Sequence, residues 1–167
     1  PEQKSELLES ILSASNPNAL DDSDRAGLMQ LLLDHSKRSK QTLPLNASVA
    51  TQLRTLAAAS VESPAPLQLT ALQALGQWQH KASRPWLKEQ LDSPNPSIRN
   101  MATVAIASFA DADAEKDVTL VTFDSVPMVA ATAIEQLAQF RLPAAAAAVI
   151  RRMNDDDWTE GDLRRAW

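Results

Sequence analysis

Two histidines, His35 and His80, are the first residues of this chain that could serve as bases or metal ligands. Neither is followed at three or four residues by a His, Asp or Glu, the spacing that puts two ligands on one helical face. Both are therefore read as surface histidines near helix C-termini. Three acidic clusters come next. Asp21-Asp22-Ser23-Asp24 has Leu33 where a calcium loop needs its bidentate Glu. Asp111-Ala112-Asp113-Ala114-Glu115 has Lys116 where that loop needs Gly, and Asn154-Asp155-Asp156-Asp157 also lacks the glycine. Acidic side chains at helix N-termini explain all three, because they cap free N–H groups and meet the positive end of the helix dipole. Asp155 to Asp157 remain the residual candidate for a weak divalent-ion site. No catalytic, cofactor or metal residue is assigned.

Nucleophiles and phosphate cradles are equally scarce. The chain has no Cys, which removes thiolate chemistry and disulfides. Its three glycines, Gly27, Gly76 and Gly161, form neither a phosphate loop nor a Gly-x-Ser-x-Gly elbow. Asn46-Ala47-Ser48 is formally a glycosylation sequon, but Asn46 suits a helix N-cap better. Lys37, Arg38, Lys40 and Arg54 make one modest basic patch, and Arg151, Arg152, Arg164 and Arg165 another. The net charge of −5 opposes a general nucleic-acid binder, so both patches are read as solvated helix faces. Four tryptophans stand out among few aromatics. Trp78 is expected in the core and Trp86 partly exposed. Trp158 and Trp167 flank a terminal segment that a further repeat would cover.

The elements carrying these residues are helices. With 167 residues, 44% hydrophobic and 4% aromatic, the chain is one Ala- and Leu-rich globular domain. No apolar run approaches a membrane span. The lack of cysteine suits cytoplasm and periplasm alike, with the cytoplasm preferred. Apolar spacings of three and four, broken by Pro, Asn, Asp and Ser, predict about ten helices. The first covers about Gln3 to Ala14. The second starts at an Asp22 or Ser23 cap, and the third at Asn46 or Ser48. Val118 to Phe123 is the best strand candidate, but it falls where a repeat requires helix.

That repeat has a period of 31. Leu67, Ile98 and Val129 share one register. Ala71, Ala102 and Ala133 share a second, and Leu75, Ile106 and Leu137 a third. Trp78, Phe109 and Phe140 share a fourth. These positions lie on one helical face. Ala74 and Ala105 sit inside the stripe, where small side chains allow close helix approach; Gln136 takes that place in the third copy. Prolines before each register start, Pro64 and Pro66, then Pro96, then Pro127, suit helix N-termini. Shorter helices lie between: one from Pro85, one from Ala114 to Thr122, one from Pro143 to Met153. Neither helix of such a pair can bury its apolar face alone, so the pairs must stack.

Asp92-Ser93-Pro94-Asn95-Pro96-Ser97-Ile98-Arg99-Asn100-Met101-Ala102 resembles the turn and second helix of the HEAT-repeat family, including its bacterial, phycobilisome-lyase-like branch. Asp124-Ser125-Val126-Pro127-Met128-Val129 is a shorter copy in which Ala130 replaces the Arg, as Gln68 does in the first. Asp157 to Trp167 is similar to the opening of another copy. The resemblance implies an all-α solenoid of about five antiparallel helix pairs. Residues 1–62 would form less regular hairpins and 63–167 the repeats, the last truncated, all in one continuous domain. The chain starts at Pro1 and stops at Trp167 in mid-helix, so it is expected to be part of a longer protein.

For function, the resemblance implies a non-enzymatic scaffold that binds a protein or peptide on its concave face. That face would be lined by the second helix of each pair. Its exposed residues are expected to be Gln68, Gln73, Gln77, Arg99, Asn100, Thr103, Ala130, Gln136 and Gln139. No cofactor, nucleic acid or membrane enters this expectation, whereas flanking domains of a longer chain could. Enzymes of HEAT-like classes, a bilin lyase or a helical-repeat DNA glycosylase, are the alternative. The di-iron hydroxylases with such repeats use His-Glu pairs, and this sequence has no His-Glu dipeptide.

Overall fold

The structure is a computed structural model that describes residues 2–12, 21–39, 42–59, 64–138, 140, 147 and 150. Within them run eight α-helices: α1 (Glu2–Leu12), α2 (Asp22–Ser39), α3 (Ala47–Ala57), α4 (Pro66–Gln77), α5 (Arg84–Glu89), α6 (Pro96–Ala107), α7 (Ala112–Val121) and α8 (Pro127–Ala138). Short 3-10 turns, Lys81–Ser83 and Gln90–Asp92, flank α5. No strand occurs among the described residues, and Val118 to Val121 are helical.

Local chemistry sets the helix starts. Pro66, Pro96 and Pro127 each open their helix, where a missing N–H costs nothing. Asn46 accepts from the Val49 amide at 2.8 Å, and Asp111 from the Ala114 amide at 2.9 Å. For α2 the cap is one residue earlier than expected: Asp21 accepts from the Asp24 amide at 2.8 Å. Asp22 lies already inside the helix, so its carboxylate meets the dipole instead. Lys37 and Arg38 occupy the last turn of α2, as a C-terminus favours.

The helices pair as α1 with α2, α3 with α4, α5 with α6 and α7 with α8. The second helices pack in sequence, α2 on α4, α4 on α6, α6 on α8, and form one layer. The first helices lie on the other side. The result is an all-α solenoid of four described pairs. The fifth, expected over Pro143–Met153 and 157–167, lies outside the described residues except for Ala147 and Ile150, both helical. The pair α3 and α4 spans positions 62 and 63, where the sequence suggests a change from irregular hairpins to repeats.

The 31-residue register is the core. Leu67, Ile98 and Val129 are buried, as are Ala71, Ala102 and Ala133, and Leu75, Ile106 and Leu137. Removing a Leu or Ile side chain of this kind from water contributes about 1.5–3 kcal/mol. Trp78 is buried, while Phe109 and Phe140 are half-buried against the same core. Ala74 and Ala105 are fully buried. α4 also lies close against α6 at Gly76, where an added Cβ would collide with the Ala105 backbone.

The register extends to the backbone. Gln79 and Ala110, 31 positions apart, follow α4 and α6 and have φ of 51° and 54°. This left-handed stop normally takes glycine. At α4 it lets the His80 amide reach back to the Leu75 carbonyl at 3.1 Å.

Candidate interaction surface

A second helix in the middle of the stack has little free surface. α4 touches α2, α3 and α6, and α6 touches α4, α5, α7 and α8. What remains is one outward strip per helix, and the strips of α4 and α6 share the 31-residue register. Leu69, Gln73 and Gln77 on α4 match Asn100, Val104 and Ser108 at α6; all six are half-buried. On α8 the strip holds half-buried Thr132 and exposed Met128 and Glu135.

The residues expected to form the surface divide between this strip and the interior. Gln68 is buried, and its Nε2 donates to the Ala57 carbonyl at 2.8 Å, filling an acceptor at the end of α3. Thr103 is fully buried, and its hydroxyl donates to the Arg99 carbonyl at 2.8 Å. Ala130 is also buried. The expectation that these three are exposed is thus corrected: each lies on the flank of its helix where a neighbour packs. Gln77 is half-buried and donates to the Leu33 carbonyl at 2.6 Å, tying α4 to α2. Gln73, Asn100 and Gln136 are half-buried. Gln139 lies outside the described residues. Val104, Ser108 and Glu135 were not anticipated, although one period from Gln73 and Gln77 reaches the first two and two periods from Gln73 reach the third.

Arg99 is occupied within the fold. Its Nε donates to Asp124 Oδ2 at 2.6 Å and its Nη2 to Asp124 Oδ1 at 2.9 Å. Its Nη1 donates to the Ser93 carbonyl at 2.8 Å. This fork locks the turn before α6 to the turn before α8. Burial alone would raise the Asp124 carboxyl, but hydrogen bonds from Arg99 and the Val126 amide outweigh it, and the pKa lies below the usual range. The same contact raises the pKa of Arg99.

Two more links join the α5/α6 pair to the α7/α8 pair. Arg84 grips Asp111 with Nη1 to Oδ2 at 2.6 Å and Nη2 to Oδ1 at 2.8 Å, while its guanidinium lies 5.1 Å from the Phe109 ring centre. Hydrogen bonding from Arg84, helped by the Ala114 amide, lowers the Asp111 carboxyl from 3.8 to about 2. Lys88 Nζ donates to Asp117 Oδ1 at 2.5 Å. Beside this last pair, α5, the turn after it and α7 enclose an open groove of about 260 Å³, with Leu91, Leu120 and Phe123 among its walls.

The remaining candidates are structural or exposed. His35 is exposed on α2. His80 is half-buried, with Nδ1 2.7 Å from Ser83 Oγ, so it occupies a turn before α5. Burial and then the nearby charge of Arg54 lower its pKa. Trp86 is half-buried. Among the described residues, buried Trp78 Nε1, Glu115 Oε1 and Asn100 Oδ1 have no hydrogen-bond partner. No cluster of three or more His, Asp or Glu able to hold a metal occurs among the described residues. Lys37, Arg38 and Arg54 are exposed. Lys40, the arginines from 151 onward, Asp155 to Asp157, Trp158 and Trp167 lie outside the described residues.

No helix among the described residues is long and apolar enough to cross a membrane. No curated protein matches the chain in sequence. The sequence profile of HEAT repeats matches residues 53–122 and again 89–166. The matches together take in most of the chain, from within α3 onward. The stacked helix pairs, the shared register and these matches agree: the chain belongs to the HEAT-repeat family, a helical-repeat fold of the scaffold and interaction type.

Proposed function

We propose that the chain is a non-enzymatic scaffold that binds a protein or peptide partner along the layer of second helices, the concave side by family analogy. The observation that carries this reading is the strip that neighbouring helices leave open. Along it, Gln73, Asn100, Val104, Ser108 and Glu135 offer amide, apolar, hydroxyl and carboxylate contacts with no excess of cations. Such a surface suits peptide groups better than phosphates.

The test is site-specific photo-crosslinking in the native source. A benzophenone side chain replaces Gln73, Asn100 or Glu135 in turn, with exposed Thr51 on α3 as the control position. One shared partner band from the three positions, missing from position 51, is the expected result. No band, or the same band from position 51, sinks the reading.

A further inference from the structure

The groove beside α5 lies on the first-helix side, away from the surface just described. We propose that it is a second docking site, for a segment of a partner protein in which an apolar side chain is flanked by Lys or Arg. Its apolar wall is open to solvent. Leu120 is 71% exposed and Phe123 46% exposed, although both belong to a chain with few exposed large hydrophobics. Half-buried Leu91 faces them from the turn after α5. Such side chains at a groove's mouth give one apolar anchor of a partner a contact that removes both from water.

The volume, about 260 Å³, is below the ~300–1,000 Å³ of ordinary small-molecule pockets. It suits one or two anchoring side chains of a peptide rather than a whole metabolite. The charge around it selects the flanks. Asp92, Asp117 and Asp124 line the groove against a single cation, Lys88. Asp124 is held by Arg99 through both oxygens. Lys88 donates to Oδ1 of Asp117 and is itself largely exposed, and among the described residues no donor to Oδ2 occurs. Asp92 and Glu89 on α5 are exposed, and among the described residues neither forms an ion pair. An occupant with Lys or Arg beside its apolar anchor would meet these carboxylates; an acidic one would be repelled.

The test is selection of a random dodecapeptide phage library against the full chain. Peptides with Leu, Ile or Phe flanked by Lys or Arg are expected to be enriched. A dye-labelled copy of the most enriched peptide should bind Leu120→Glu at least about tenfold more weakly and Asp92→Lys at least about threefold more weakly. Its affinity should fall as salt rises. Both changes are at solvent-exposed positions, and helical circular dichroism checks that the variants fold; Leu120→Ser replaces Leu120→Glu if the latter does not. Asn100→Ala, on the other layer, should leave this binding unchanged, so the two surfaces fail or succeed separately. No enrichment, an acidic consensus, or binding indifferent to Leu120 overturns the proposal. So does self-association of the chain that Leu120→Glu abolishes, which would assign the groove to a second copy.

Discussion

Arg99 holds two positions that lie one period apart. It donates to the Ser93 carbonyl in its own turn and, through two hydrogen bonds, to the Asp124 carboxylate in the next. Both side chains of the ion pair are mostly buried, at 14% and 9% exposure. Removing one partner therefore leaves the other desolvated and unpaired. Asp124→Ala should cost about 2–4 kcal/mol in urea unfolding. Arg99→Lys should recover little of the loss caused by Arg99→Ala, because an ammonium cannot fork between a carboxylate and a carbonyl. Full recovery by lysine would reduce the contact to simple charge.

Asp111 allows a separate test by pH. Its carboxyl sits at about 2 in the folded chain, below the ordinary 3.8. The folded state thus binds its proton less readily than the unfolded state does. The associated stability is present above about pH 4 and is lost as pH falls toward about 2. Asp111→Asn keeps an N-cap for α7 but abolishes the ion pair with Arg84. It should lower stability at neutral pH by about 0.5–1 kcal/mol, since the pair is partly exposed, and flatten the acid limb of the curve. Thermal melts between pH 2 and 7 measure both; an unchanged acid limb would assign that slope to other carboxylates.

Two glycines should respond oppositely to alanine. At Gly27, in the exposed interior of α2, an added Cβ meets nothing within 4 Å. Gly27→Ala should stabilise the chain by about 0.5–1 kcal/mol through helix propensity alone. At Gly76 the Cβ would strike the Ala105 backbone, which no rotamer change can relieve. Gly76→Ala should cost about 1–3 kcal/mol despite the same propensity gain. Equal signs in denaturant titrations would remove the close approach of α4 to α6 as an explanation.

Ala110 has φ of 54°, a region where an L-residue is strained. Ala110→Gly should raise stability by about 0.5–1 kcal/mol, after the greater unfolded-state freedom of glycine is set against the relieved strain. A lower melting temperature would mean that the Ala110 methyl makes packing contacts worth more than the strain.

Much of the fold is legible in the sequence because a 31-residue period repeats both helix starts and core side chains. Leu67, Ala71 and Leu75 point inward for the same periodic reason as their counterparts one and two copies later. The surface is less legible. Helical period separates an inner face from an outer one, but α4 and α6 are enclosed on their flanks too. Gln68 and Thr103 fall on those flanks, and only the positions of neighbouring helices reveal it. Arg99 carries the family pattern, yet its role depends on a carboxylate 25 positions away. No local spacing contains that partner. The left-handed stops at Gln79 and Ala110 are hidden for a related reason, since neither residue is a glycine.

Three ion pairs give the joint between α5/α6 and α7/α8 a direction. Arg84, Lys88 and Arg99 all belong to the earlier pair, and Asp111, Asp117 and Asp124 all belong to the later one. The joint is therefore heterologous: the earlier pair presents cations and the later one carboxylates. Gln68 and Ala130 stand where the neighbouring copies would need the cation of Arg99, so this polarity marks one joint and not the whole array. Exchanging the order of these two pairs would part all three contacts at once.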